Sequence, residues 1–141
     1  MSDTIRFEIV TPVRAVYSGD ARSVLLPTER GEAEILPGHR AMLTLIQHGT
    51  VVVTESSGEK KLFAAERGYA EVVDNKVTLL VAGCVGASEV DLAASREDLA
   101  RGEELFKAPH LLTEAQLEEE RERLDRSRAR LEMIARATGR A

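Results

Sequence analysis

The sequence predicts an antiparallel β-sandwich followed by an antiparallel two-helix hairpin. Three observations predict it. Up to about Gly86, short apolar stretches rich in β-branched residues recur at close spacing, with turn residues between them. From Ser88 onward β-branched residues almost vanish, and Ala, Leu, Glu and Arg, the strong helix formers, take over. Pro109 then interrupts the helical pattern, which no helix interior tolerates. The expected division is a β domain at 1–87 and a helical hairpin at 88–141.

The strand signals run in order through "IRFEIV", "RSVLL", "TVVVTE", "KLFAAE", "YAEVV" and "KVTLLVA". Turn signals separate them: Thr11-Pro12, Ser18-Gly19-Asp20, Pro27, Pro37-Gly38, Gly49, Ser56-Ser57-Gly58 and Asp74-Asn75. "SSGEKK" and "VDNK" each join two strand signals and predict β-hairpins.

In the helical half, Ser88 and Asp91 have capping-box spacing, with Asp in place of Glu. The first helix is expected to end near Lys107-Ala108. Thr113 and Gln116 form a second capping box and open the second helix, with Gly139 as its stop. Acidic residues lead that helix and arginines close it, which suits the helix dipole at both ends. The apolar stripes are thin: Leu92, Leu99 and Phe106 on one helix, and Leu117, Leu124, Leu131 and Ile134 on the other. A hairpin with so narrow a seam needs the β domain or another protein to lean on.

Composition narrows the function. The 141 residues are 43% hydrophobic and 30% charged, so a packed core is expected rather than disorder. Trp is absent and aromatics are 4%, so that core is aliphatic. A net charge of -5 argues against nucleic acid as a general partner. A lone cysteine, Cys84, excludes an internal disulfide, and its setting in "LLVAGCVG" reads as a buried core position. The opening "MSDTIRFEIV" lacks the features of a leader, and no stretch approaches the roughly 20 apolar residues of a membrane span. The expectation is a chain that stays in the compartment of its synthesis and meets a membrane only through a partner.

Motifs of chemistry are missing. His39, His48 and His110 do not pair at metal-ligand spacing, the ten glycines stand singly rather than in a phosphate loop, and no nucleophile elbow occurs. No cofactor, no metal and no active site of its own are expected. The charges on the second helix have a plain reading as i, i+4 pairs, Glu122–Arg126 and Glu132–Arg136. A sharper reading is that Arg121 to Arg136, with six arginines against three acids, touches an acidic surface elsewhere.

The stretch "GEAEILPGH" raises its own question, because His39 follows Pro37-Gly38 at once. It either holds the corner or faces a partner, and the two readings are compatible.

Taken together and in order, four stretches carry a family resemblance: "IVTPVRAVYSGDARSVLLPTERGEAEILPGHRAMLTLIQHGTV", "RGYAEVVDNKVTLLV", "VDLAASREDLARGEE" and "ARLEMIARA". The chain resembles the epsilon subunit of the bacterial F-type rotary ATP synthase. The resemblance implies a sandwich of about ten strands and a C-terminal helical hairpin. It implies a non-catalytic rotor subunit that joins the gamma shaft to the c-ring, on the cytoplasmic face of the bacterial plasma membrane, with the alpha and beta subunits as further partners. It also implies that the helices can act as a brake on ATP hydrolysis, with Arg121, Arg123, Arg126, Arg128 and Arg130 as candidate inhibitory contacts. Glu32 and His39, with Arg40 beside them, fall on the loop that faces gamma and the c-ring in the family.

The match is divergent in places. Glu34 stands where the family usually has Gly, "HRAML" replaces "HAPLL", and Arg67-Gly68 replaces a double glycine. Some members bind ATP through Ile/Leu-Asp-x-x-Arg-Ala on the first helix and two arginines on the second. Val90 and Asp91 match the start of that motif, and Arg126 and Arg130 match the second pair. The first-helix arginine is Ala94 here, with Arg96 two residues late. Only a weak ATP site is implied. An ATP sensor, or an unrelated sandwich that binds proteins, remains the alternative.

Overall fold

The structure, a computed structural model, describes residues 3–139. Among these residues the chain forms nine strands and two α-helices. The strands are β1 (Ile5–Val10), β2 (Ala15–Thr28), β3 (Gly31–Ile35), β4 (Met42–Ile46), β5 (Gly49–Glu55), β6 (Lys60–Ala65), β7 (Gly68–Val73), β8 (Lys76–Val81) and β9 (Cys84–Gly86). A 3-10 turn at Ala87–Glu89 leads into α1 (Leu92–Leu105), and a second at Pro109–Leu111 leads into α2 (Glu114–Ala137).

The strands form two packed layers that share β2. In one layer the order is β4, β7, β8, β1 and the first half of β2. In the other it is β3, the second half of β2, β5, β6 and β9. All pairings are antiparallel except β1 with β8. The alternation read in "IRFEIV" is realised: Ile5, Phe7 and Ile9 are fully buried while Arg6 and Glu8 face outward. They meet Val24, Leu26, Val51, Val53, Val77 and Leu79 in one aliphatic core. Burying each such side chain contributes roughly 1.5–3 kcal/mol. Both expected hairpins form, β5–β6 and β7–β8. The second turns on Asp74 and Asn75, both at positive φ, which Asp and Asn tolerate better than other side chains.

Two expected turns lie inside a strand instead. Ser18-Gly19-Asp20 and Pro27 both fall within β2. Pairing with β1 overrides the local turn preference, and Gly19 leaves space for the Tyr17 side chain to lie across it. Pro27 sits near the strand end, opposite Glu32, where a missing N–H costs little. The register slips between Ala21 and Ser23, so β2 bends from one layer into the other without a break. With β2 unbroken, the described residues form nine strands, in keeping with the sandwich of about ten that the resemblance implied.

The Thr113–Gln116 capping box forms in full, and Gly139, at φ +74, follows the end of α2. The proposed Ser88–Asp91 box does not form. Asp91 is itself the N-cap of α1, accepting from the Ala94 N–H, and Ser88 lies in the preceding 3-10 turn. The helix seam also differs from the predicted leucine stripe. Ser95 and Gly102 are the buried residues of α1, while Leu92, Leu99 and Phe106 are only half-buried beside them. Small residues bring the two backbones close: a Cβ on Gly102 would sit 2.9 Å from Leu124 Cδ1.

α2 docks on β5 and β6, whereas the main packing of α1 is against α2. The apolar seat is small. Met133 is fully buried and packs with Ala129, Ala64, Leu62, Val85, Val90 and Ile134.

Candidate functional site

Two surfaces stand out. The first is the seam where α2 meets the sandwich, and it is built largely from charge. Arg126 Nε lies 3.3 Å from Glu66, and Arg67 pairs with Glu122. Arg136 in the last turn of α2 donates to Glu32 at 2.7 Å. Arg14 reaches Glu89 at 2.8 Å and donates to the Cys84 carbonyl at 3.1 Å, tying the connector before α1 to the β1–β2 turn. The backbone N–H of Gly86 and then the Arg14 guanidinium hold the Glu89 carboxyl below the usual range.

These bridges correct the expected helix pairs. Glu122 and Arg126 do not pair with one another, nor do Glu132 and Arg136. Glu122, Arg126 and Arg136 each reach a residue of the sandwich instead. Charges 55 to 104 positions apart are brought together here, so no spacing rule on the helix alone could find them. Arg14, Glu66, Arg67 and Glu89 were missed in the sequence for that reason.

The other arginines have separate settings. Arg121 lies over the Phe106 ring at 5.3 Å, a cation–π contact that closes the hairpin turn. Arg123 bridges Glu119 and Glu120, and Arg101 of α1 also reaches Glu120, at 3.2 Å. Arg128 is exposed and lines a cleft of about 440 Å³ with His48, Arg67, Asp125 and Glu132. Arg130 is half-buried and acts on Glu89 through space. Of the residues assigned to a weak ATP site, Val90 packs beneath Met133 and Ala129, Asp91 caps α1, and Arg126 holds Glu66. Each of these three already has a partner within the protein.

The second surface is an apolar face with a groove at its edge. On β4, Met42, Thr44 and Ile46 point inward, while Leu43 and Leu45 are 69% and 56% exposed. Tyr69, opposite Leu45 on β7, is 46% exposed. A groove of about 750 Å³ runs from these residues past Arg40 to the β2–β3 turn with Glu32. A strand that is apolar on both faces is the sequence signal for a covered outer surface, and "MLTLI" carries it.

Glu32 and Arg40 therefore lie on one groove. His39 is beside it, in a turn closed by its own N–H to the Leu36 carbonyl at 3.1 Å. Its Nδ1 lies 2.8 Å from the Arg40 carbonyl, and Gly38, at φ +81, donates to Asn75 Oδ1 at 2.9 Å. Glycine is required there because few side chains adopt that backbone. His39 holds the corner through its backbone, and its ring stays partly exposed.

Cys84 is buried, and burial pushes its thiol up to about 12, with Arg14 pulling weakly the other way. Among the described residues no cluster of three metal-ligating side chains occurs, and no helix is long and apolar enough to cross a membrane.

Comparison with known proteins agrees on the fold. The overall structure superposes on a chain of the cryo-EM structure of Euglena gracilis mitochondrial ATP synthase, OSCP/F1/c-ring in rotational state 1. The TM-score is 0.80 at 19% identity, covering 94% of this chain and 81% of that one. It also matches a chain of the Tetrahymena thermophila mitochondrial ATP synthase central stalk/c-ring structure, with TM-score 0.57, 17% identity, and 92% and 95% coverage. In sequence it is 33% identical over 108 residues to the ATP synthase epsilon chain of Campylobacter jejuni strain 81-176, covering 77% of this chain and 84% of that one. It is 39% identical over 99 residues to the epsilon chain of Campylobacter fetus strain 82-40, with 68% and 77% coverage. The family model for the ATP synthase delta/epsilon chain beta-sandwich domain matches residues 4–87. With the sandwich, the helical hairpin and these relatives in agreement, the chain belongs to the ATP synthase epsilon-chain family.

Proposed function

We propose that the chain is a non-catalytic rotor subunit that joins the gamma shaft to the c-ring and so couples ion flow to ATP synthesis. The observation that carries this reading is the exposed apolar face of Leu43, Leu45 and Tyr69, continuous with the groove that holds Glu32 and Arg40. Large exposed apolar residues gathered on one face, rimmed by charge, are the mark of a protein interface. The solved neighbours that share the fold come from F1/c-ring and central stalk/c-ring assemblies, which supports gamma and the c-ring as the partners. Its place is then peripheral, at the cytoplasmic face of the bacterial plasma membrane.

The division of labour falls between 1–87 and 88–141. The sandwich assembles, and the hairpin regulates ATP hydrolysis by leaving the sandwich and presenting its arginines to the alpha and beta subunits. Support comes from the seam: a few apolar side chains and a set of partly exposed ion pairs hold α2, so the hairpin is the low-stability unit. ATP is at most a weak ligand, because Asp91 and Arg126 already have protein partners.

The test is ATP hydrolysis by the catalytic assembly lacking this subunit, with either the full chain or residues 1–87 added back. Both are expected to bind gamma, and only the full chain is expected to slow hydrolysis. Binding without inhibition by either would remove the brake and leave the coupler. Failure of both to bind would sink the rotor reading.

A further inference from the structure

We propose that His48 is a pH-sensitive latch: neutral, it lets α2 close over the β4–β5 corner, and its protonation releases the hairpin. The inference rests on the reading above that the hairpin can leave the sandwich.

His48 occupies the two-residue corner between β4 and β5, and the preceding Gln47 fixes it by donating its N–H to the Pro27 carbonyl at 2.9 Å. With α2 docked, its side chain is only 8% exposed. Nε2 comes within 3.3 Å of Glu122 but has no aligned hydrogen-bond partner, which is uncommon for a ring nitrogen so enclosed.

The surrounding charges decide which form fits. From α2, Glu122, Asp125, Arg126, Arg128 and Glu132 surround or approach the ring, and Glu66 and Arg67 do so from the β6–β7 turn. Arg67 already engages Glu122, and Arg126 already engages Glu66. The two carboxylates that could compensate an imidazolium are therefore each shared with a guanidinium group: Glu122 gives Oε1 to Arg67 and turns Oε2 toward Nε2, 3.3 Å away and out of line for a hydrogen bond. Asp125 alone faces the ring without such a partner, and a single half-buried carboxylate does not offset the loss of water around a buried cation. Burial accordingly holds the His48 imidazole below its ordinary value. Asp125 and Glu66 oppose that shift, and Arg67 and Arg126 reinforce it.

The sign follows. The docked state binds the His48 proton less readily than the released state, in which the corner is open to water. As pH falls through the ordinary histidine range near about 6.5, the released state gains protons and the equilibrium moves toward release. A histidine at this corner makes the hairpin responsive within the physiological range.

The test uses the full chain with spin labels at Ser57→Cys, on the β5–β6 turn, and Glu118→Cys, on α2. Cys84 stays in place because it is buried. Distance distributions are recorded from about pH 8 to about pH 5.5. The docking equilibrium is expected to shift toward release by up to about tenfold over that interval, the most that one histidine of ordinary value in the released state can give. His48→Gln is expected to flatten the response, and His48→Arg to release the hairpin already at about pH 8. Proton NMR of the wild-type imidazole provides a readout independent of the variants, with His48 titrating below about 6.5. The same acid response in His48→Gln overturns the latch, as does docking that tightens on acidification. A wild-type hairpin docked at every pH overturns the latch and leaves the hairpin reading intact. A hairpin already free at about pH 8 overturns both.

Discussion

Arg136 in the last turn of α2 donates to Glu32 near the start of β3, 2.7 Å away and 104 positions apart in sequence. Glu32 also lines the groove beside Leu43, Leu45 and Tyr69, so on the rotor reading one carboxylate would serve both the partner face and the hairpin. The pair is partly exposed, at 51% for Glu32 and 26% for Arg136, and such pairs contribute about 0.2–1 kcal/mol. Arg136→Ala is expected to weaken docking by that amount and leave binding to gamma and the c-ring unchanged. Glu32→Ala is expected to affect both. A double-mutant cycle on hydrogen exchange in α2 checks the pair, and additive effects would mean that the two residues do not interact.

Met133 is the apolar anchor of the seam. It is fully buried against Ala64, Leu62 and Val85. Met133→Ala is expected to cost about 2–5 kcal/mol. The loss should fall on hairpin docking, with strand amides still protected and the amides of α1 and α2 exchanging faster. Equal loss of protection in strands and helices would mean that the two parts unfold together.

Gly102 sets the spacing of the helices. Gly102→Leu places a bulky side chain where even a Cβ lies 2.9 Å from Leu124, and overpacking of this kind costs about 1–3 kcal/mol. α1 is expected to separate from α2 while α2 stays on the sandwich, since its seat does not involve Gly102. Hydrogen exchange resolved along the chain distinguishes this from release of the whole hairpin.

Cys84 is expected to resist thiol reagents in the folded chain and to react fully once denatured, because burial raises its thiol to about 12. The same shift carries a pH dependence. The folded state keeps the proton longer than the unfolded one, so this contribution is present below about 9 and declines as pH rises toward about 12. Denaturant titrations at neutral and alkaline pH measure it, with Cys84→Ala expected to flatten the alkaline loss. Rapid labelling of the native chain would contradict the buried setting.

Leu45 and Tyr69 are exposed, so Leu45→Glu and Tyr69→Ala should leave the melting temperature unchanged. If this face receives the shaft, Tyr69→Ala is expected to weaken gamma binding by about 2 kcal/mol or more, roughly thirtyfold in Kd. Unchanged affinity would move the interface elsewhere.

The parts legible in the sequence were those with a local cause. The alternation in "IRFEIV", the turn at Asp74-Asn75 and the Thr113–Gln116 box each act within a few residues, and each stands in the structure. The misreadings had distant causes. Ser18-Gly19-Asp20 carries the residues of a turn, yet β1 lies beside it and extends it into β2. Glu122 and Arg126 carry the spacing of a helix pair, yet Arg67 and Glu66 take them. The stripe of Leu92, Leu99 and Phe106 carries the hydrophobic signal, yet Ser95 and Gly102, which carry none, are what let the helices meet. His48 was visible only as a histidine without a mate, since its significance comes from α2 closing over it.

Strand β2 has a mechanical consequence. Its fourteen residues have a contour length on the order of 45 Å, starting just after the exposed Val13 and ending at the turn that leads into β3 and Glu32, and both layers are bonded to it. One covalent girder thus crosses the sandwich, and neither layer can slide over the other without bending it. A load applied near Glu32 is shared by both layers through this one strand. The connection to the hairpin is the short stretch from Ala87 to Asp91, where the 3-10 turn gives way to extended backbone before α1 begins and Glu89 is tied to Arg14 of the sandwich. On the rotor reading, a twist of the shaft would reach the hairpin through that connection and through the seat of α2, with the sandwich as their common mount.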